Sequence, residues 1–170
     1  METYYRSEID KYANQVSAKH YPEAISLGDV RSIHLEDGEV DLLIGGSPCQ
    51  DLSIAKRDRK GLDGDRSGLF WEYVRIWTEV RPKWFILENV ASMSKADKDT
   101  ITQALGVEPV MIDAALVSAQ SRKRLFWTNL PITGLPPDRG IRLKDILLPD
   151  SEVDPRLVTK QDKAFCLSAS

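Results

Sequence analysis

Between residues 3 and 129, six short apolar runs alternate with amphipathic stretches, and this alternation most narrows the folds open to the chain. Short runs rich in Val, Ile, Leu and aromatic residues read as strands, while apolar residues three and four apart read as helices with one wet face. Together they specify an α/β sheet with helical crossovers. The strands are expected near residues 3–7, 24–27, 40–45, 84–88, 109–113 and 125–129. Helices are expected over 8–20, with Ile9, Tyr12, Ala13 and Val16 in register, and over 67–80, with Leu69, Phe70, Tyr73, Val74 and Trp77. Arg81-Pro82 ends the second helix, because a residue before proline is pushed out of the helical region. A weaker helix over 98–105 stops near Gly106.

A chain of 170 residues has room for one domain at about 100 to 200 residues per domain, which excludes a second full one. Hydrophobic residues make up 42% of the chain, enough for a core. The formal charge of −3 lacks the basic excess that grips phosphate backbones unaided, so any nucleic-acid contact must come from a local patch. Cys49 and Cys166 lie too far apart to form a disulfide framework or a zinc motif, which points to a reducing compartment and to no metal site. With neither a signal-like start nor a membrane-length apolar run, a soluble intracellular protein is expected. The turn-rich Pro136-Pro137-Asp138-Arg139-Gly140 marks a change of texture, dividing 1–132 from a connecting segment over 133–170.

Three segments carry chemistry. In the first, Leu42-Leu43-Ile44 runs into Gly45-Gly46 and then Ser47-Pro48-Cys49-Gln50. Glycines at the carboxyl end of a strand admit a ligand or a second backbone, and α/β sheets bind ligands at that end. Pro48 restricts the backbone ahead of the thiol, so Cys49 is aimed as a nucleophile must be; the same residue would also serve as a small buried apolar side chain. In the second, Trp84-Phe85-Ile86-Leu87 ends in Glu88-Asn89-Val90. A carboxyl group at that edge is expected to be desolvated, with its pKa raised toward proton donation, or else to be capped or ion-paired. In the third, Gln120-Ser121-Arg122-Lys123-Arg124 leads into Leu125-Phe126-Trp127. If the segment is extended, Gln120, Arg122 and Arg124 share one face and Lys123 takes the other; a basic strand edge blunted against aggregation has the same appearance.

Taken together, these segments resemble the cytosine-5 DNA methyltransferase family, with its Pro-Cys, Glu-Asn-Val and Gln-x-Arg-x-Arg motifs in order at Pro48-Cys49, Glu88-Asn89-Val90 and Gln120 to Arg124. GGSPCQDLS and EPVMIDAALVSA are most similar to the de novo branch and its phage relatives. The resemblance implies a Rossmann-like S-adenosylmethionine-dependent sheet, with Cys49 as nucleophile at carbon 6 of cytosine, Glu88 as acid toward ring nitrogen 3, and Arg124, supported by Arg122, at the base carbonyl oxygen and a nearby phosphate. It places Ser47, Gln50, Asn89 and Gln120 around the substrate, which would be a cytosine flipped out of duplex DNA. It assigns cofactor contacts to Glu8 and Ile9, to Asp29 and Val30, to Pro48 and to Leu69. KRDRKGLDGDR, over 56–66, matches a loop that closes over DNA, although a plain solvated loop has the same composition.

The family's first strand, which is central in its sheet and carries a glycine-rich cofactor motif, has no counterpart here, and KAFCLSAS matches only the start of a target-recognition region. A sheet lacking that strand is therefore expected to leave two strand edges unpaired, and a complementing polypeptide could supply it. The resemblance implies a bacterial or phage protein of the cytoplasm, of restriction-modification type, or a nuclear one in a eukaryote. An inert DNA- or partner-binding relative, and methylation of tRNA, are the competing readings.

Overall fold

The computed structural model describes residues 3–47, 69–147, 152 and 161–165. Pro48, Cys49, Gln50, the 56–66 segment and Cys166 lie outside the described residues.

All six strands form: β1 (Tyr5–Arg6), β2 (Ile25–Ser26), β3 (Leu42–Gly46), β4 (Trp84–Val90), β5 (Val110–Asp113) and β6 (Lys123–Thr128). They build two sheets, a parallel β1-β2 pair and a four-stranded sheet in the order β3-β4-β6-β5. β3 and β4 run parallel, whereas β6 is antiparallel to both β4 and β5. Among the described residues, β1 pairs only with β2 and β3 is an edge strand, so each sheet keeps an unpaired edge as the sequence implied.

The helices differ from expectation mainly at their starts. α1 (Lys11–His20) begins after Glu8 because the Asp10 side chain accepts the Ala13 amide and caps the first turn. α3 (Lys95–Leu105) begins earlier than expected, because Ser94 accepts the Asp97 amide at 3.1 Å while donating its hydroxyl to the Asp97 carboxylate. Gly106 closes α3 in the left-handed conformation, with φ of 70°. After α2 (Leu69–Val80), Arg81 takes φ of 43°, a sharper break than the residue before a proline requires.

α2 and α3 cover one face of the four-stranded sheet. Phe70 and Tyr73 of α2, Ile101 and Leu105 of α3, and Phe85, Leu87, Leu125 and Trp127 of the sheet make a single apolar cluster. Alternate residues of β4 and β6 supply it, as a pleated strand dictates. Buried Trp127 Nε1 donates to Thr102 Oγ1 at 3.0 Å, which removes the penalty of burying an indole N–H. A second cluster, Ile33 with Ile76 and Val80, joins the segment after β2 to α2. Arg75 reinforces this joint by donating to the carbonyls of Val30 and Ile33 while pairing with Glu72 and Glu79.

The apolar stripe read on α1 is not buried against any described residue, and Tyr12 and Val16 stay exposed. Among the described residues, no helix is long and apolar enough to cross a membrane.

Candidate active site

Three strand ends converge on Glu88. The β3–β4 ladder ends where Gly46 faces Glu88, while β4 continues through Asn89 and Val90 because antiparallel β6 still pairs with it, placing Val90 opposite Arg124. Glu88 therefore lies inside β4 rather than at its exit. Arg124 stands diagonally across the β4–β6 ladder on the same face, and its Nε lies 2.6 Å from Glu88 Oε1. The carboxyl group is thus neither unpaired nor fully desolvated: its side chain keeps 35% of its exposure and has a guanidinium partner, so the ion-paired alternative describes it. Its other oxygen faces Gly46, where an added Cβ would come within 3.3 Å. Only a small residue leaves that approach open. A carboxyl and a guanidinium side by side offer donor and acceptor atoms to one edge of a planar ligand.

Asn89 is 1% exposed and holds Ser47, at the end of the described segment that follows β3. Its Nδ2 donates to Ser47 Oγ at 2.8 Å and its Oδ1 accepts the Val90 amide at 2.8 Å, so the buried amide is satisfied on both sides. Ser47 is the last described residue before Pro48-Cys49. Behind it, the Tyr73 ring packs on Gly45 so closely that a Cβ there would lie 2.6 Å from the ring. Sequence reading passed over this tyrosine because at helical spacing it looks like any core aromatic. Burial of Tyr73, whose hydroxyl has no hydrogen-bond partner among the described residues, pushes its ionisation far above the ordinary value.

The basic motif is divided between a strand and the segment before it. From Lys123 onward the predicted alternation holds: Lys123 is exposed, and Arg124 shares its face with Phe126 and Thr128. Gln120 to Arg122 precede the strand. Arg122's amide donates to Asp113 Oδ1 at 2.9 Å, and Gln120 forms an isolated parallel bridge with Ala164. Asp113's carboxyl is held below its ordinary range, first by the Ala115 amide and then by Arg122's amide and the nearby lysines. Asp113, Lys163 and Ala164 were not identified from sequence, since each acts through backbone contacts made only in three dimensions.

Four of the residues matched to cofactor contacts, Glu8, Ile9, Asp29 and Val30, follow the carboxyl ends of β1 and β2. These ends are tied together by Ser7 Oγ, which donates to the Gly28 carbonyl at 2.8 Å. Glu8 Oε1 accepts its neighbours' amides from Ile9 and Asp10, and Ile9 is 70% exposed, ahead of α1 rather than within it. Asp29 caps a short turn, Val30–Ser32, and forms an ion pair with Arg31 at 2.6 Å. Hydrogen bonds from Arg31 lower the Asp29 carboxyl to about 2. Val30 packs on the Ile33 cluster, and Leu69 opens α2, half-buried. Acceptors on adjacent strand ends with an exposed apolar neighbour suit the ribose and adenine of a nucleoside. The structure thus assembles Glu88, Asn89, Arg124 and Ser47 in one place and Glu8, Ile9 and Asp29 in another.

The arrangement has parallels among known proteins. The chain is 37% identical over 133 residues to the orphan methyltransferase M.SPRI of Bacillus phage SPR, covering 71% of this chain and 30% of that protein. It is 37% identical over 106 residues to the type II methyltransferase M.NgoBV of Neisseria gonorrhoeae, covering 62% and 25%. With M.HhaI of Haemophilus parahaemolyticus, identity is 29% over 180 residues, covering 95% of this chain and 54% of the relative. The chain therefore spans only part of the length of these proteins. A crystal structure of a prophage-encoded protein from E. coli, described as a DNA modification methyltransferase, superposes with a TM-score of 0.57 at 22% identity, over 75% of this chain and 39% of that one, and supports the fold. Residues 1–130 match the family of C-5 cytosine-specific DNA methylases, and the chain belongs to that family.

Proposed function

We propose that the chain is the catalytic segment of an enzyme that methylates carbon 5 of cytosine in duplex DNA. The Glu88–Arg124 pair carries the reading: it sits beside Gly46 at the carboxyl end of β3, three residues ahead of Cys49 in a family of cytosine methylases. Carbon 5 of cytosine is too electron-poor to attack an electrophilic methyl group directly. The Cys49 thiolate adds at carbon 6, pushing electron density to carbon 5, while Glu88, in the protonated form that this role requires, donates a hydrogen bond or proton at ring nitrogen 3. Arg124 holds the carbonyl oxygen at carbon 2 and keeps the Glu88 carboxyl in place, and Arg122 supports the base and the adjacent phosphate. Carbon 5 takes the methyl group; a base then removes its proton, and the thiolate leaves as the ring double bond re-forms. Ser47, Gln50, Asn89 and Gln120 shape the pocket of a base that must leave the stack to be reached.

S-adenosylmethionine fits the second cluster, and when bound it supplies the electrophilic methyl group. Glu8 would accept the ribose hydroxyls, Asp29 the adenine amine, and Ile9, Val30 and Leu69 would pack beside the rings. Pro48 would border the methyl donor. Residues 133–170 form a connection and the beginning of a target-recognition region. Two of the relatives named above are bacterial type II methyltransferases, which favours a restriction-modification setting in bacterial cytoplasm, while the phage relative is an orphan methyltransferase.

A strand from outside the described residues completes the sheet between β1 and β3, belonging either to a longer form of this protein or to a complementing polypeptide. Supporting this, Leu42 and Ile44 on β3 are 44% and 64% exposed, and Arg6 Nε and Asn14 Oδ1, on β1 and α1, are buried without hydrogen-bond partners among the described residues.

The test is duplex DNA containing 5-fluorocytosine, offered with S-adenosylmethionine to the chain with and without a strand-supplying polypeptide. The expected result is a covalent adduct that disappears in Cys49→Ser. An adduct that persists in Cys49→Ser removes the nucleophile assignment. Failure of every combination to trap DNA favours the inert relative, and an adduct only with fluorinated tRNA moves the substrate to RNA.

A further inference from the structure

Lys163 stands far from Gln120 in sequence and beside it in space. Its Nζ donates to three backbone carbonyls, those of Ala115 at 2.8 Å, Ser118 at 2.9 Å and Ile141. An ammonium group has three donors, and all three are used on carbonyl oxygens of the segment around β5's end and of the 131–147 connection. The neighbouring residue completes the contact: the Ala164 amide donates to the Ala119 carbonyl at 2.7 Å, and the Ser121 amide donates to the Ala164 carbonyl at 2.9 Å. These two bonds bracket Gln120.

The placement matters because the β4–β6 ladder reaches only to Arg124 opposite Val90, followed by one long bond from the Ala91 amide to the Lys123 carbonyl at 3.4 Å. Arg124 is positioned by the sheet, but Gln120 and Ser121 lie beyond it. On one side, Asp113 takes the Arg122 amide; on the other, Lys163 and Ala164 supply the opposing wall.

We propose that Lys163 is a positioning residue whose three-carbonyl clasp sets Gln120 and Arg122 in register with the Glu88–Arg124 pair. The clasp makes the geometry of the base-contacting face depend on the 161–165 segment, so the two are ordered together. The consequence for catalysis rests on the proposed methyl transfer, whereas the clasp itself does not.

Hydrogen exchange on the full chain tests the clasp directly. In Lys163→Met, the Ser121 and Ala164 amides should exchange about tenfold faster or more, while Phe85 and Leu87 in β4 keep their protection. In Lys163→Ala, added propylammonium should restore Ser121 protection saturably, and tetramethylammonium, which has no N–H, should not. Unchanged Ser121 exchange overturns the proposal. Equal loss of protection in β4 also overturns it, because Lys163 would then support the fold as a whole. In the complemented enzyme, Lys163→Met should slow 5-fluorocytosine trapping about ten- to a hundredfold with S-adenosylmethionine affinity unchanged. Normal trapping by this variant overturns the positioning role, whereas a wild-type enzyme that traps nothing counts against the methyl-transfer reading and leaves the exchange result to decide the clasp.

Discussion

In the four-stranded sheet, Phe70, Leu87, Ile101 and Trp127 have no exposed surface, whereas around α1 the residues Ile9, Tyr12 and Val16 remain 70, 72 and 61% exposed. The first region has a helix-covered face and a continuous apolar cluster; the second is held by β1-β2 pairing, by Ser7 on Gly28 and by the Ile33 cluster on α2. Glu88, Asn89 and Arg124 belong to the first region, and Glu8, Ile9 and Asp29 to the second. The groups assigned to bond chemistry thus rest on a self-supporting core, while those assigned to the cofactor rest on a unit whose apolar stripe has no described neighbour. This is the division a separate strand would repair, because it would pair with both free edges at once.

The comparison breaks most easily at Trp127. Trp127→Ala should cost about 3–5 kcal/mol of unfolding free energy, since it opens a cavity in a close-packed cluster. Val16→Ala should stay within about 0.5 kcal/mol in the chain alone. Urea denaturation of both variants measures this, and similar losses would erase the distinction between the regions. Addition of the strand-supplying polypeptide should make Val16→Ala more costly, which sharpens it.

Gly45→Ala comes next. The new Cβ meets the Tyr73 ring at 2.6 Å, so the substitution should cost about 1–3 kcal/mol, and much of that loss should be absent in a Tyr73→Ala background. A purely additive double-mutant cycle would mean that the close approach is not what excludes a side chain there.

Asn89→Ala should cost about 1–3 kcal/mol, because it leaves the Val90 amide without the side-chain acceptor and frees Ser47. Ser47→Ala should add little on top of it. Full additivity of the two would place Ser47 and Asn89 outside a common network.

The smallest effect concerns Asp29, which is on the surface. Its carboxyl is lowered from 3.8 to about 2 by Arg31. A depressed acid contributes stability above its unfolded pKa and loses it as pH falls through the folded value, so the contribution should fade between about pH 4 and pH 2. A carboxyl-carbon NMR titration should find the midpoint near 2 in the native chain, returning toward 3.8 in Arg31→Ala. An unmoved midpoint would assign the depression to the capping turn instead.

Much of this was legible in the residues themselves. All six strands are legible as short apolar runs; in β4 and β6 burial against the helical layer demands such runs, whereas β1 and β2 form with no buried residue. Glu88 is legible as a carboxyl in an apolar strand with desolvation and ion pairing both open to it, and Arg124 across the ladder decides for the ion pair. The partner could not be read from spacing, because the diagonal contact depends on the register between β4 and β6. α1 shows the opposite case. Its helical spacing is present, yet burial of the apolar face needs a second surface that the described residues do not provide.

Local preference and periodicity, both properties of neighbouring residues, determined the strands, the helices and the order of the motifs from the sequence alone. Only the tertiary structure decided that Arg124 pairs with Glu88, that Asn89 holds Ser47, that Tyr73 requires a glycine at position 45, and that Lys163 closes on the segment before β6. Each of these contacts joins residues far apart along the chain, and a contact of that kind is set by strand register and packing direction, which no local pattern encodes.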